Sequence, residues 1–353
     1  MTTPSCAEIA ADAAAPLRDA VDQGRIPGGT LGIITRDGTS ASVSFGRHTI
    51  DTSATAVSTA TWFDLASLTK VMVTVPAVLR LVSEGRIDLD DPIARHLPTL
   101  NQTRPDAPVR ALTVRALLTH QSGLAPVEPL YTWAAGATLR QAILQHDWSP
   151  GAPAYSDIGY ILLGLMIERL TGGLFRSLPV GPGLTFSPPA AETAASEVCN
   201  WRGRTLQGEV HDENAWALGG AAGHAGLFGT VDGVLAFALG MMDGTGMNPA
   251  ALAAMRTPQT DRRALGWERP YPLWTGGSLC STGTLGHNGF TGTGLWIDFD
   301  RGYAWTLLTN RVHPTRHRDT GIMPLRRAVA NRLAALIGQS ALLPAFQTGK
   351  GWA

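Results

Sequence analysis

At 353 residues the chain is long enough to enclose a dry reaction centre in one large domain or two interleaved ones. Hydrophobic residues make up 44%, charged residues 16%, and the formal net charge is zero. That balance excludes an extended disordered chain and gives a nucleic acid no basic surface to hold.

The stretch from Met1 to Arg18 lacks a basic start followed by an apolar segment, so no export signal is expected and a cytoplasmic protein is. Three scattered cysteines, Cys6, Cys199 and Cys280, match no zinc spacing and are expected to be reduced thiols. Residues 5 to 23 have the spacing of an amphipathic helix. Gly28 to Arg36 and Ala41 to Arg47 then read as two strands joined at Asp37-Gly38.

Phe63 to Glu84 reads as a long apolar helix starting after Asp64, kinked or divided at Pro76. Its apolar run, Val71 to Leu81, and the later run Tyr160 to Ile167 are too short for the ~18 residues of a membrane span. Helical spacing returns in Thr113 to His120, Leu139 to His146 and Tyr160 to Leu170. The Pro-rich residues 174 to 205 show no period and predict an irregular loop, after which Asp232 to Met242 is helical.

Beyond about residue 265 the texture becomes strand-like. Gly283 to Phe290, Gly294 to Asp298 and Tyr303 to Thr309 form an antiparallel meander, closed by an Arg-studded amphipathic helix from Ile322 to Ile337. Strands at both ends with helices between them predict an α+β chain: an antiparallel sheet flanked by terminal helices, with an all-helical domain inserted. The expected division is residues 1–60 with 265–353, and 61–264, the site lying between them.

Only two of the 28 basic residues are lysines, Lys70 and Lys350. A lysine amid arginines suggests a task arginine cannot perform, such as giving up its proton. Ser67-Leu68-Thr69-Lys70 places a hydroxyl and an amine at i and i+3 on one helix face. If that face is buried, desolvation favours a neutral Lys70 able to accept the serine proton. The plainer alternative is a snorkelling lysine beside an ordinary serine.

A second group, Tyr155-Ser156-Asp157, follows a Pro-Gly turn and precedes a helix. A third, His287-Asn288-Gly289-Phe290, lies at the end of a strand, where Gly289 permits close approach of a substrate backbone. His211, Asp212, Glu213 and His224 match no familiar zinc pattern, and His224, in its glycine-rich setting, is read as lining a substrate pocket. No metal or cofactor is called for, and neither a G-x-S-x-G elbow nor a phosphate-binding loop occurs.

Ser67-x-x-Lys70, Tyr155-x-Asp157 and His287-Asn288-Gly289, in that order, resemble the three motifs of the serine beta-lactamase and penicillin-binding protein superfamily, most of all its class C beta-lactamase-like branch. Leu112 to Leu124, Gly219 to Phe228 and Leu308 to Arg311 look like the same branch. The resemblance implies a beta-lactamase/transpeptidase-like fold and Ser67 as nucleophile. It further implies Lys70 and Tyr155 as the proton-transfer pair, and the Ser67 and Phe290 N–H groups as oxyanion hole. Asp157, His287, Asn288 and Gly289 would then contact substrate.

Two positions depart from the pattern: Asp157 stands where asparagine is common, and His287 replaces a fixed cation with a titratable one. An anionic Asp157 would repel a substrate carboxylate, so a small ester or peptide-like amide is the expected substrate, ahead of penicillins. A non-catalytic penicillin-binding-like protein and a cell-wall D-alanyl carboxypeptidase are the alternatives.

Overall fold

The computed structural model describes residues 4–338, so Lys350 lies outside the described residues. Five strands form the main sheet: β1 Gly28–Thr35, β2 Ser40–Gly46, β3 Thr284–Asn288, β4 Gly294–Asp298 and β5 Tyr303–Thr309. Their order is β2-β1-β5-β4-β3, antiparallel throughout, with Gly29 opposite Thr309 and Thr35 opposite Tyr303. The two ends of the chain thus meet at the centre of one sheet.

Both faces of that sheet are covered, and the strands alternate accordingly. Leu31, Ile33, Trp296, Trp305 and Leu307 pack toward the helices Cys6–Ala13, Ala15–Asp22 and Ile322–Ile337. Ile34, Leu295, Ile297, Ala304 and Leu308 join the larger core shared with the chain between β2 and β3. Trp296 and Trp305, cross-strand partners, stack with ring centroids 3.9 Å apart. The N-terminal helix expected over residues 5 to 23 is two, because Pro16 opens the second.

The segment expected as one helix from Phe63 is more elaborate. Phe63–Asp64 is a two-residue strand paired with Phe228–Gly229, followed by a turn at Ala66 with φ +48°. Lys70–Thr74 is a π-helical turn, in which the Val75 N–H reaches the Lys70 carbonyl, and an α-helix runs on over Val75–Ser83. Pro76 lacks an N–H and falls where the π-helical turn passes into that helix, so the hydrogen-bond ladder changes spacing beside the residue that cannot extend it. Single π-turns of this kind are frequent at functional sites.

Candidate active site

Three structural supports converge on the turn that carries Ser67. Asp64 is buried, and its carboxylate accepts the N–H of Ala66 at 2.8 Å and of His211 at 2.6 Å. That grip holds Ala66 in the left-handed region, a conformation a non-glycine residue keeps only when its surroundings enforce it. The turn after β3 is fastened to the same segment: Thr291 Oγ1 donates to the Asp64 carbonyl at 2.6 Å and Thr293 Oγ1 to the Leu65 carbonyl at 3.1 Å.

The glycine-rich segment predicted around His224 runs along the other side. The Thr69 and Thr74 hydroxyls bond the Leu227 N–H and the Gly223 carbonyl. A side chain at Gly223 would place its Cβ 2.0 Å from the Tyr160 carbonyl, so the contact with the Asp157–Thr171 helix is backbone against backbone.

Lys70 is fully buried. Its Nζ lies 3.0 Å from Ser67 Oγ, 3.1 Å from the His224 carbonyl and 2.7 Å from Asp157 Oδ1. The Tyr155 hydroxyl interacts with both Ser67 and Lys70, and the Lys70 ammonium sits 5.0 Å from the Tyr155 ring centroid. Ser67, Lys70, Tyr155 and Asp157 therefore form one cluster.

Burial alone would push Lys70 toward the neutral amine, but Asp157 and Tyr155 outweigh it and raise its pKa above the ordinary lysine value. Burial was expected to favour the neutral amine; the carboxylate of Asp157 lying against Lys70 turns that direction toward the ammonium. Burial raises the Tyr155 phenol, with Lys70 and Ser67 pulling the other way. Both directions favour Lys70 as ammonium and Tyr155 as phenol at rest.

His287 departs from expectation as well. It is 2% exposed, Nδ1 lies 2.9 Å from the Asn288 carbonyl, and Nε2 has no partner. Burial, then the nearby Lys70 and Arg263 charges, hold its pKa well below the ordinary histidine value. The position is thus a neutral ring that donates through Nδ1 and presents Nε2 as an acceptor, rather than a cation. Asn288 Oδ1 is likewise buried and unpartnered.

His224 contributes through its main chain. Its ring is 1% exposed and engaged with Asp212 at 2.7 Å, while its carbonyl faces Lys70. Burial would raise Asp212, but the His224 charge and the Ala215 N–H hold it well below the carboxylate range. His211 pairs with Glu197 at 3.0 Å. Among the described residues no group of three or more metal-ligating side chains converges.

The Ser67 and Phe290 N–H groups find no acceptor among the described residues. At Gly289 a Cβ would meet Thr293 Oγ1 at 2.0 Å and the Leu65 carbonyl at 2.6 Å, so the space beside it is filled by the protein's own atoms rather than left for the substrate backbone expected there.

Two site residues escaped sequence reasoning. His120, read there only as a helix end, stacks 4.3 Å from Tyr155 and accepts the Ser156 N–H at 3.0 Å through Nδ1. Arg263 stands 5.5 Å over the Tyr155 ring with Nη1 unpartnered. The loop carrying Tyr155 is zipped to the segment after His120 by Gly151 N–H to the Gly123 carbonyl and Ser156 Oγ to the Ala125 carbonyl, both 2.7 Å.

A buried lysine on a serine hydroxyl, a tyrosine beside both, and two backbone amides without acceptors describe a serine enzyme of the acyl-transfer class. The chain belongs to the beta-lactamase family, whose model matches residues 13–330. It is 32% identical over 308 residues to an Escherichia coli (strain K12) protein described as a candidate D-alanyl-D-alanine carboxypeptidase, covering 72% of this chain and 70% of the relative. It is 32% identical over 304 residues to an N-acetylmuramyl-L-alanine amidase of Bacillus subtilis (strain 168), covering 72% and 69%.

Solved structures show the same fold. The class C beta-lactamase of Rhodobacter sphaeroides superposes with TM-score 0.67 at 20% identity, over 92% of this chain and 98% of that one. A simvastatin synthase mutant of Aspergillus terreus gives 0.70 at 19%, over 94% and 96%. The protein is a serine hydrolase that acts through an acyl-enzyme.

Proposed function

We propose that this enzyme hydrolyses a peptide-like amide or a small ester, with Ser67 as the acylated residue. The observation that carries the reading is the 3.0 Å contact between Lys70 Nζ and Ser67 Oγ inside a cluster closed by Tyr155 and Asp157.

The cluster must first lose one proton from its Lys70–Tyr155 pair, whose titration belongs to both groups together. The deprotonated member takes the Ser67 hydroxyl proton as Oγ bonds to the substrate carbonyl carbon. The carbonyl oxygen becomes an oxyanion between the Ser67 and Phe290 N–H groups. The same pair returns the proton to the leaving nitrogen or oxygen as its bond to the carbonyl carbon breaks. Water then repeats the sequence on the acyl-enzyme and frees Ser67.

Asp157 does not stand as an isolated negative charge, because Lys70 neutralises it at 2.7 Å. The repulsion expected toward a substrate carboxylate is thereby weakened, which leaves room for peptides that end in a carboxylate more than the sequence alone does. Two relatives with names that denote cleavage of cell-wall peptide or amide bonds support the same side.

The test is a panel of p-nitrophenyl esters, D-amino-acid amides, D-alanyl peptides and nitrocefin against wild type and Ser67→Ala. Turnover that disappears in Ser67→Ala, with a fluorophosphonate adduct on Ser67 of the wild type, supports the reading. Equal turnover by both proteins overturns it.

A further inference from the structure

We propose that Arg326 is a positioning residue for the oxyanion hole, an inference that rests on the Ser67 acyl-enzyme reading. Arg326 lies on the Ile322–Ile337 helix, where an amphipathic pattern places arginines toward solvent, yet it is 2% exposed. Its Nη2 donates to the Gly289 carbonyl at 3.0 Å and to the Thr293 carbonyl at 2.5 Å. Those residues are the two ends of the turn between β3 and β4, closed by the Gly289 N–H on the Thr293 carbonyl at 2.8 Å.

The Gly289 carbonyl and the Phe290 N–H belong to one peptide unit. In a trans peptide the two point in opposite directions, so a donor fixed on the oxygen also aims the N–H. It polarises the unit too, and hydrogen bonds in such chains strengthen one another by roughly 10–30% each. Arg326 therefore orients and sharpens the Phe290 N–H donor.

The other half of the oxyanion hole is built the same way. The Ala66 carbonyl, in the peptide unit that carries the Ser67 N–H, accepts the Thr69 hydroxyl at 2.7 Å and the Thr69 N–H at 3.0 Å. Each amide is thus backed by a donor on its own peptide oxygen, one a neutral threonine and the other a charged guanidinium.

A packing role alone does not account for this arginine. Its partners among the described residues are two carbonyls and Met323 Sδ at 3.5 Å, none of them a carboxylate, and Nε has none at all. No carboxylate touches it, Glu268 acting on it only through space, so its burial is costly, and a methionine or leucine would fill the space without that cost. Burial, then Arg311, pull its pKa down to about 9 against a smaller opposite pull from Glu268.

The experiment compares wild type, Arg326→Met and Arg326→Lys on the best substrate of the panel. It measures kcat, KM and the affinity of a boronic acid that forms a tetrahedral adduct with Ser67. Arg326→Met is expected to lose ~10- to 100-fold in kcat, less than the 10²–10³ that follows removal of a donor outright. KM should stay within about threefold and boronate affinity fall in parallel with kcat, because the lost interaction belongs to the transition state. Arg326→Lys should lie between, one ammonium reaching a carbonyl from the same helix, and it decides the matter if the methionine variant does not fold. A folded variant with unchanged kcat and boronate affinity, or with its loss confined to KM, overturns the inference. Lack of Ser67-dependent turnover in the wild type would instead overturn the hydrolase reading and take this inference with it.

Discussion

Lys70 Nζ and Asp157 Oδ1 form a 2.7 Å ion pair against the nucleophile, and this pair sets the pH at which the enzyme can work. Asp157 is a principal reason that the pKa of Lys70 is raised despite complete burial. Since the reactive cluster is one that has lost a proton, activity rises with pH and its acid limb marks that loss. Asp157→Asn removes the charge that favours the ammonium, so Lys70 deprotonates at lower pH. The expected outcome is a shift of the acid limb of kcat/KM for a neutral ester downward by about 1 unit or more. A limb that stays in place or moves upward contradicts the assignment.

The turn after β3 predicts a second effect. In Gly289→Ala the new Cβ would lie 2.0 Å from Thr293 Oγ1 and 2.6 Å from the Leu65 carbonyl, displacing the bond that fastens the turn carrying Phe290 to the segment carrying Ser67. Loss of one oxyanion donor corresponds to roughly 10²–10³ in kcat. Steady-state kinetics should show that fall while Ser67 still accepts a fluorophosphonate, though more slowly. Retention of wild-type kcat would remove Phe290 from the oxyanion hole.

What could be read in advance was local. Tyr303 to Thr309, Gly294 to Asp298 and Ile322 to Ile337 match the observed elements because alternation and helical spacing are written within each segment. Ser67 and Lys70 were legible for the same reason, being one turn apart. The charge state of Lys70 was not, because it depends on Asp157, 87 positions away, reaching the same buried point. The neutrality of His287, the strand at Phe63–Asp64 and the burial of Arg326 likewise follow from packing between distant segments.

Four buried histidines carry a stability prediction. His48, His120, His287 and His313 all have pKa values lowered by burial, His120 and His287 well below the ordinary value. Above about pH 6.5 the unfolded chain leaves histidine neutral, as the folded state does, and these groups cost nothing. Below it the unfolded state binds protons that the folded state refuses, so stability falls as pH drops toward the depressed folded values. Each fully depressed histidine contributes about 1.4 kcal/mol per pH unit across that window. Urea midpoints between pH 7.5 and 5 should decline, and His287→Gln should flatten the slope. A midpoint that rises toward pH 5 contradicts the neutral assignment.

Gly223 gives the last prediction, which separates packing from chemistry. In Gly223→Ala the Cβ would fall 2.0 Å from the Tyr160 carbonyl and 2.9 Å from the Gly164 N. Neither is the tip of a flexible side chain, so the segment must move away from the Asp157–Thr171 helix. Overpacking of this kind typically costs ~1–3 kcal/mol. Moving the segment also carries off the Gly223 carbonyl that receives Thr74 and the His224 carbonyl that receives Lys70. Thermal unfolding should therefore shift downward, and kcat should fall even below the new melting transition, because Lys70 has lost one of its fixed partners. A destabilised variant with undiminished kcat would show that the His224 carbonyl has no part in holding the Lys70 ammonium against Ser67.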